Sequence, residues 1–230
     1  LWQGRAENRF VIGSQGVEYA LVRHWRHEGL VEPPQPIRGI GRVEEMAVVS
    51  GSVSPVTADQ IAWSIKDGFT SVRFDAMAAC GSPDDLGAAE NAALDAALNV
   101  LDKGSVPLIY SAAGPDDPGV KQLEAALAER NAADVNAKIG QALGRILRHL
   151  VEARNLRRVV VSGGDTSGHV CTELGIYALS ALAPTIPGAS ICRAHAEGPM
   201  DGLQLALKGG QMGSTDYFNW VRDGGGVRAT

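Results

Sequence analysis

The stretch that decides the fold covers residues 158–168 and has the sequence RVVVSGGDTSG. The valines at 159–161 predict a short buried strand, because β-branched residues favour extended structure and pack well in a sheet. Gly163 and Gly164 predict a tight turn, and residues 169–179 then show apolar residues at helical spacing. Strand, glycine loop and helix in this order direct backbone N–H groups towards one point, an arrangement that binds anions.

Taken alone, this loop is equally compatible with an ordinary turn that a Ser or Thr caps. It matches neither a Walker A loop nor a G-x-G-x-x-G motif. Two further glycine-rich stretches also follow predicted strands: residues 50–55 (SGSVSP) and residues 208–213 (KGGQMG). Three such loops in one chain favour a phosphate site, since loops at the carboxyl ends of parallel strands meet at one edge of the sheet.

The middle of the chain alternates between predicted strands and helices. The strands are 46–50, 71–74, 106–110 and 159–161, and the helices are 57–67, 85–101, 120–154 with a break near 131–134, and 169–179. Residues 189–194 and 203–207 add two short strands that resemble a hairpin-like edge. This pattern predicts an α/β fold with a layered, mostly parallel sheet flanked by helices and a β-rich C-terminal part.

A proline-rich segment from Gly29 to Ile40 is the best candidate for a domain boundary. Before it, residues 10–12 predict a strand and residues 17–25 a helix. We therefore expect residues 1–40 to form the end of one domain with its linker, and residues 41–230 to form a second domain.

Composition excludes several classes of protein. A net charge of −5 over 230 residues provides neither a basic surface for nucleic acid nor a polybasic segment for a membrane. Cys80, Cys171 and Cys192 are odd in number and widely spaced, which indicates a reducing compartment, and we expect a cytoplasmic protein.

The three loops, followed by residues 216–218 (DYF), resemble the nucleotide-binding half of the four-carbon acid sugar kinases, a family long known only as a domain of unknown function. The family includes threonate, erythronate and 3-oxo-tetronate kinases. The resemblance covers most of residues 44–220, and residues 10–16 are similar to the end of the family's substrate domain. It implies a kinase that phosphorylates a four-carbon sugar acid with ATP and Mg²⁺.

The resemblance also implies which residues contact the nucleotide. In the first loop they are Ser52 and Ser54, and in the third loop Gly210. The second loop contributes Gly163, Gly164, Asp165 and Thr166. The catalytic base is not assigned, and Asp165 is equally compatible with a role at Mg²⁺ and with capping a helix. Lys208 is either a charge at the phosphates or a solvated surface lysine.

The chain departs from the family pattern in two respects. Gly209 stands where Ser or Thr is usual, and Met212 where Phe is common. The Asp-Asp-x-Thr-Gly signature of the family's substrate domain matches neither residues 84–87 nor residues 116–119. The chain therefore resembles the C-terminal portion of a longer kinase, with an amino-terminal substrate domain as its partner.

Two alternatives remain open at this point. One is a non-catalytic binding or assembly module, in which the alanine-rich helices at 87–101 and 122–150 form the face of a homodimer. The other is a nicotinamide-dependent dehydrogenase, which is disfavoured because no G-x-G-x-x-G opens the first strand–helix unit.

Overall fold

The structure is a computed structural model, and it describes residues 2–7, 10–32, 38–128 and 130–228. The chain divides into two compact units, Leu1–Ile37 and Arg38–Thr230. Part of the predicted linker, residues 33–37, lies outside the described residues. The assignment of residues 1–40 to a substrate domain stays a prediction.

The first unit contains helix α1 (Gln15–His27), which confirms the helix predicted at 17–25. The indole of Trp2 packs edge-on against that of Trp25, with ring centroids 5.4 Å apart. The strand predicted at residues 10–12 is wrong: this segment is irregular, and Phe10 is 92% exposed. In the described part of this unit there is no strand to pair with it, so its backbone stays in contact with water.

The second unit is a sheet of seven strands covered by helices. The strands are β1 (Ala47–Ser50), β2 (Phe69–Arg73), β3 (Val106–Tyr110), β4 (Arg158–Ser162), β5 (Ile176–Pro184), β6 (Ser190–Ala196) and β7 (Gln204–Lys208). The helices are α2 (Pro55–Lys66), α3 (Pro83–Asp102), α4 (Pro118–Leu127), α5 (Ala132–Arg154), α6 (Gly164–Glu173) and α7 (Tyr217–Arg222), with short 3₁₀ helices at Ala76–Cys80 and Gly198–Met200.

The strand order in the sheet is β2-β3-β1-β4-β7-β6-β5. The first five strands are parallel, and the last two pair antiparallel beside them. This arrangement confirms the predicted α/β fold class with its mostly parallel sheet and β-rich C-terminal part. Among the described residues, no helix combines the length and the apolar composition that crossing a bilayer requires.

Strand β4 shows how the sheet builds two cores. Val159 and Val161 point into a core shared with α3, α5 and α6 on one face, whereas Val160 points into a second core with α2 and α7 on the other. Because both faces are covered, the strand is apolar throughout, as is typical of parallel sheets.

The region after β4 differs from the sequence-based prediction at both ends of the helix. The helix expected at 169–179 begins at Gly164 and ends at Glu173, so residues 164–168 are its first turn and not a loop. Gly175 has φ +66°, a left-handed conformation that ends helices, and β5 follows it. Apolar residues at helical spacing happen to continue across this glycine into the strand, which is why the prediction was wrong.

The two strands predicted to form a hairpin-like edge do pair with each other, but they do not form the edge of the sheet. Strands β6 and β7 do pair antiparallel, with Ile191 opposite Ala206. Strand β7, however, lies inside the sheet and also pairs parallel to β4, while β5 forms the edge. The break predicted near 131–134 is confirmed, because α4 ends at Leu127 and Asn131 caps α5.

Two glycines let α6 pack closely on α5. A methyl group added at Gly140 would lie 2.7 Å from His169 Cδ2, and one added at Gly144 would lie 2.8 Å from Glu173 Cβ. Both distances are shorter than van der Waals contact, so only glycine fits here without displacing α6. This packing helps to determine where the N-terminus of α6 lies.

Candidate functional site

The register of the sheet aligns the starting points of the three glycine-rich loops. Ser50, the last residue of β1, lies opposite Ser162 at the end of β4, and Ser162 lies opposite Lys208 at the end of β7. Backbone hydrogen bonds continue one step further: Gly51 N donates to Ser162 O (3.1 Å) and Gly163 N donates to Lys208 O (2.9 Å). The loops therefore leave the sheet side by side.

The loops also contact one another after leaving the sheet. A methyl group added at Gly51 would overlap the Thr166 hydroxyl, and one added at Gly163 would lie 3.6 Å from Ser52 N. At Gly210 it would overlap the Ser52 hydroxyl. The structure thus brings the predicted residues of all three loops together at the carboxyl edge of the sheet, and glycines make the close approach possible.

The N-terminus of α6 points into this junction without a side-chain cap. Its N-cap residue is Gly163, which has φ +124° and no side chain that could accept a hydrogen bond. A methyl group added at Gly164 would meet nothing within 4 Å, so the first turn is open to the outside. Uncapped first-turn N–H groups and the positive end of the helix dipole together favour an anion.

Ser54 supplies a second, independent sign of a ligand. Its residue is only 7% exposed, yet its Oγ has no hydrogen-bond partner among the described residues. Its Cβ would lie 3.2 Å from a methyl group at Gly210, which places it where the first and third loops meet. A buried hydroxyl without a partner costs free energy, and a ligand that hydrogen-bonds with it would remove that cost.

Lys208 is not a solvated surface lysine, so that interpretation is wrong, whereas a charge at the phosphates stays a prediction. It is 2% exposed, and its Nζ donates to Thr57 Oγ1 (3.1 Å) and to the carbonyls of Gly209 (3.0 Å) and Gly210 (3.4 Å). Burial lowers the pKa of Lys208 to about 8. At neutral pH it is therefore mostly protonated and holds the third loop against α2.

Helix α2 contributes two residues that the sequence analysis missed. The Thr57 hydroxyl donates to Gly210 O (2.9 Å), and Gln60 Nε2 donates to Met212 O (2.9 Å) and Ser214 O (3.0 Å). The helix predicted at 57–67 begins earlier, at Pro55, so Thr57 lies within its first turn. The available signal was the helical spacing of Thr57, Gln60 and Ser64: three polar residues on the buried face of α2 need partners.

Asp165 is the acidic residue of the α6 first turn, and it is exposed. Within the described ranges, no three His, Cys, Asp or Glu side chains come together as a metal site. A single carboxylate nevertheless suits Mg²⁺ bound to a nucleotide, since that ion typically takes one or two carboxylates together with phosphate oxygens and water. Asp165 therefore fits the predicted cofactor.

Asp75 and His195 both make hydrogen bonds within the protein. Asp75 caps a 3₁₀ helix by accepting from Met77 N (3.0 Å). His195 Nε2 lies 2.7 Å from Ser180 Oγ, near the end of the antiparallel β6 and thus at the opposite edge of the sheet from the loops. His195 therefore lies away from the three loops.

Asp117 organises the neighbouring loop. It accepts two hydrogen bonds from the Arg73 guanidinium (2.7 and 3.0 Å) and one each from Ala113 N (2.8 Å) and Gly119 N (2.9 Å). Chiefly because of the Arg73 guanidinium, the pKa of Asp117 lies well below its usual range. Asp117 is also the N-cap residue of α4, so this cluster fixes where that helix begins.

A cavity of about 310 Å³ opens next to the second loop. Gly51, Asp165 and Thr166 line one side of it, and residues of α4 and α5 line the rest together with Val53, Ala76, Ser111 and Ala112. The candidate site thus consists of the junction of three loops with an adjoining cavity.

Comparison with known proteins finds a matching family model and several similar kinases. A family model described as "Nucleotide-binding C-terminal domain" matches residues 47–218. A 3-oxo-isoapionate kinase of Paraburkholderia graminis is 44% identical over 228 residues, which cover 97% of this chain and 48% of that kinase. A 3-oxo-tetronate kinase of Pseudomonas savastanoi pv. phaseolicola is 31% identical over 218 residues, covering 95% and 47%. The chain spans about half the length of the curated relatives it matches.

Solved structures share the fold. A Haemophilus influenzae protein of the family DUF1537 superposes with a TM-score of 0.63 at 21% identity, covering 86% of this chain and 44% of that one. A Bordetella bronchiseptica DUF1537 protein, a domain-swapped dimer with bound citrate, superposes with a TM-score of 0.62 at 17% identity, covering 80% and 41%.

Proposed function

Because this chain belongs to the family described as the nucleotide-binding C-terminal domain, we propose that it is the ATP-binding part of a kinase that phosphorylates a sugar acid. Relatives at 44% and 31% identity are named for 3-oxo sugar acids, which supports an acceptor of that class. The acceptor would bind to an amino-terminal domain, which would account for the length of those relatives beyond the matched half.

The observation that carries the proposal is the convergence of the three loops at one edge of the sheet. Backbone N–H groups of the α6 first turn and the unpartnered Ser54 hydroxyl would bind the phosphates. Gly164 leaves room for them, because no atom lies within 4 Å of where its side chain would be. Lys208 and Thr57 would keep the third loop in place.

In a phosphoryl transfer of this kind, catalysis rests on positioning and on stabilising charge. Mg²⁺ would neutralise charge on the β- and γ-phosphates, and Asp165 is the residue that would hold it, directly or through water. The α6 N-terminus would stabilise negative charge on the phosphates through its dipole and its N–H groups. A base for the acceptor hydroxyl would come from the substrate domain.

Calorimetric titration of the 230-residue chain with MgADP tests the proposal. We expect weak but saturable binding, no phosphorylation of sugar acids by this chain alone, and a higher melting temperature with ADP than with NAD. Stabilisation should follow mass action, about 2.7 kcal/mol at a ligand concentration one hundred times Kd. An absence of heat and of thermal stabilisation at millimolar MgADP would contradict the proposal.

A further inference from the structure

The two edges of the seven-stranded sheet differ in how they are protected. One edge is β2, which is five residues long and ends in the charged Arg73. The other is β5, which is nine residues long and has the sequence IYALSALAP. An unpaired edge offers a row of backbone N–H and C=O groups to any other chain, so proteins commonly keep edge strands short or place charges on them. Strand β5 has neither protection.

The backbone of β5 is paired on one side only. It pairs antiparallel to β6, and the bulges near its two ends leave the stretch from Ala178 to Ala181 in regular register. Among the described residues, the only backbone hydrogen bond that β5 makes outside the sheet joins Gly226 N to Pro184 O (2.8 Å), at the last residue of the strand. The outward N–H and C=O groups of the regular stretch are therefore free to pair with another strand.

The side chains of β5 are apolar and exposed. Residues 177–181 are all exposed, and they include two large apolar side chains, Tyr177 at 73% and Leu179 at 41%. The chain has no charged residue from Leu174 to Cys192, so no charge lies on the strand or on the turn that follows it. Exposed apolar surface along an unpaired strand is typical of a site where another protein strand binds.

A second copy of the same strand is the partner that this edge fits. A two-fold axis perpendicular to the sheet brings the edge against itself antiparallel, so that donors of one copy face acceptors of the other. If the axis passes through Ser180, the middle residue of β5, Leu179 of each copy lies opposite Ala181 of the other, a large side chain against a small one. No like charges meet, because β5 has none and Arg193, opposite Ser180 on β6, is paired with Asp201 (3.6 Å) in its own chain.

We propose that two copies of this chain associate through β5, paired antiparallel about Ser180, so that their two sheets form one continuous sheet. Strand β5 runs in the same direction as β7, because each of them is antiparallel to β6. The glycine-rich loops of the two copies would therefore lie at opposite edges of the joined sheet, and both junctions would stay open. The inference does not depend on the proposed function.

Sedimentation equilibrium of the 230-residue chain over a range of concentrations tests the proposal. We expect a reversible dimer, which Ser180→Lys and Ser180→Asp should each weaken about tenfold or more, because either variant places two like charges opposite each other. An equimolar mixture of the two variants should restore the dimer, since lysine then faces aspartate. Ser71→Lys makes the same change at an exposed position of β2, the other edge, and this control should keep the wild-type dimer.

Ser180→Cys tests the register, because mild oxidation should link two copies through the new thiols, whereas Ser71→Cys on β2 should give no such product. A chain that is monomeric at every concentration overturns the proposal, as does a dimer that both charged variants leave intact, since it would use another surface. All variants should bind MgADP like the wild type, which shows that they fold. A wild-type chain that dimerises through β5 but binds no MgADP would refute the proposed function and leave this inference standing.

Discussion

Lys208 Nζ lies 3.1 Å from Thr57 Oγ1, and this hydrogen bond joins the end of β7 to the first turns of α2 across 151 positions of sequence. The same ammonium group donates to two carbonyls of the third loop. A buried cation thus connects two of the three loop regions.

Replacing this lysine should change how stability depends on pH. Burial lowers the pKa of Lys208 from 10.5 to about 8, so between these values the unfolded chain binds more protons than the folded chain. The contribution of this group to the free energy of unfolding therefore rises with pH from about 8 to about 10.5. In Lys208→Met this rise should be absent, as urea denaturation of both proteins at pH 7.5 and pH 10 would reveal. An identical pH dependence in the two proteins would contradict the assignment.

A side chain at Gly164 should block the phosphates without harming the fold. Gly164→Val places its methyl groups in the open space at the α6 N-terminus, and we expect MgADP binding to fall below detection by calorimetry. Gly168→Val is the matched control, because Gly168 lies one turn further along the same helix and is equally open. Both variants should keep the wild-type melting temperature within a few degrees. Equal nucleotide affinity in Gly164→Val and wild type would place the phosphates elsewhere.

Gly210→Ala tests whether the close approach of the first and third loops matters. Its methyl group would overlap the Ser52 hydroxyl, so the two loops must separate. We expect nucleotide affinity to drop about tenfold or more, as titration with MgADP would measure. Gly209→Ala should have little effect, because its methyl group would meet only the movable Met212 side chain at 3.3 Å. Comparable losses in the two variants would show that the contact at Ser52 is not decisive.

The Asp117 cluster should contribute to stability at neutral pH and lose that contribution in acid. The pKa of Asp117 is lowered in the folded protein, so its contribution is complete above about pH 4 and falls as the pH drops further. We expect Asp117→Asn to reduce the free energy of unfolding at pH 7 by about 2 kcal/mol, because the amide keeps one acceptor oxygen in place of two and removes the charge that binds the Arg73 guanidinium. Asp116→Asn, one residue away and exposed, is the control. Urea denaturation at pH 7 and pH 3 should show the difference between Asp117→Asn and wild type shrinking at the lower pH.

Much of the fold followed from local patterns. The valine run at 159–161 and the strand at 106–110 were predictable because buried parallel strands are short, apolar and bounded by turn residues. The resemblance to the acid sugar kinases rested on three loops in order, and the comparisons confirm that family. Strand β5 was not predicted because its residues continue the spacing of the preceding helix, although Gly175 is a helix-ending signal.

The loops of the candidate site were predictable from the sequence, but the residues that hold these loops in place were not. Glycines and serines at strand ends indicated where phosphates would bind, since that inference needs only local sequence and the parallel sheet. The burial of Lys208 and the inward direction of Gln60 depend on packing between segments about 150 residues apart, which local patterns do not reveal. The cavity beside α4 has the same origin, because its walls come from α4, α5, the first turn of α6 and the loops after β1 and β3.

The alignment of Ser50, Ser162 and Lys208 has a consequence for biosynthesis. A polypeptide emerges from the ribosome N-terminus first, and the strand that ends at Lys208 is the last of the seven to be made. It must then enter between β4 and β6, both already translated, before the third loop can take its place. A nascent chain that stops short of this strand would expose the inner edge of β4 and would lack the third loop, so a nucleotide that needs all three loops would bind only molecules in which synthesis has passed Lys208.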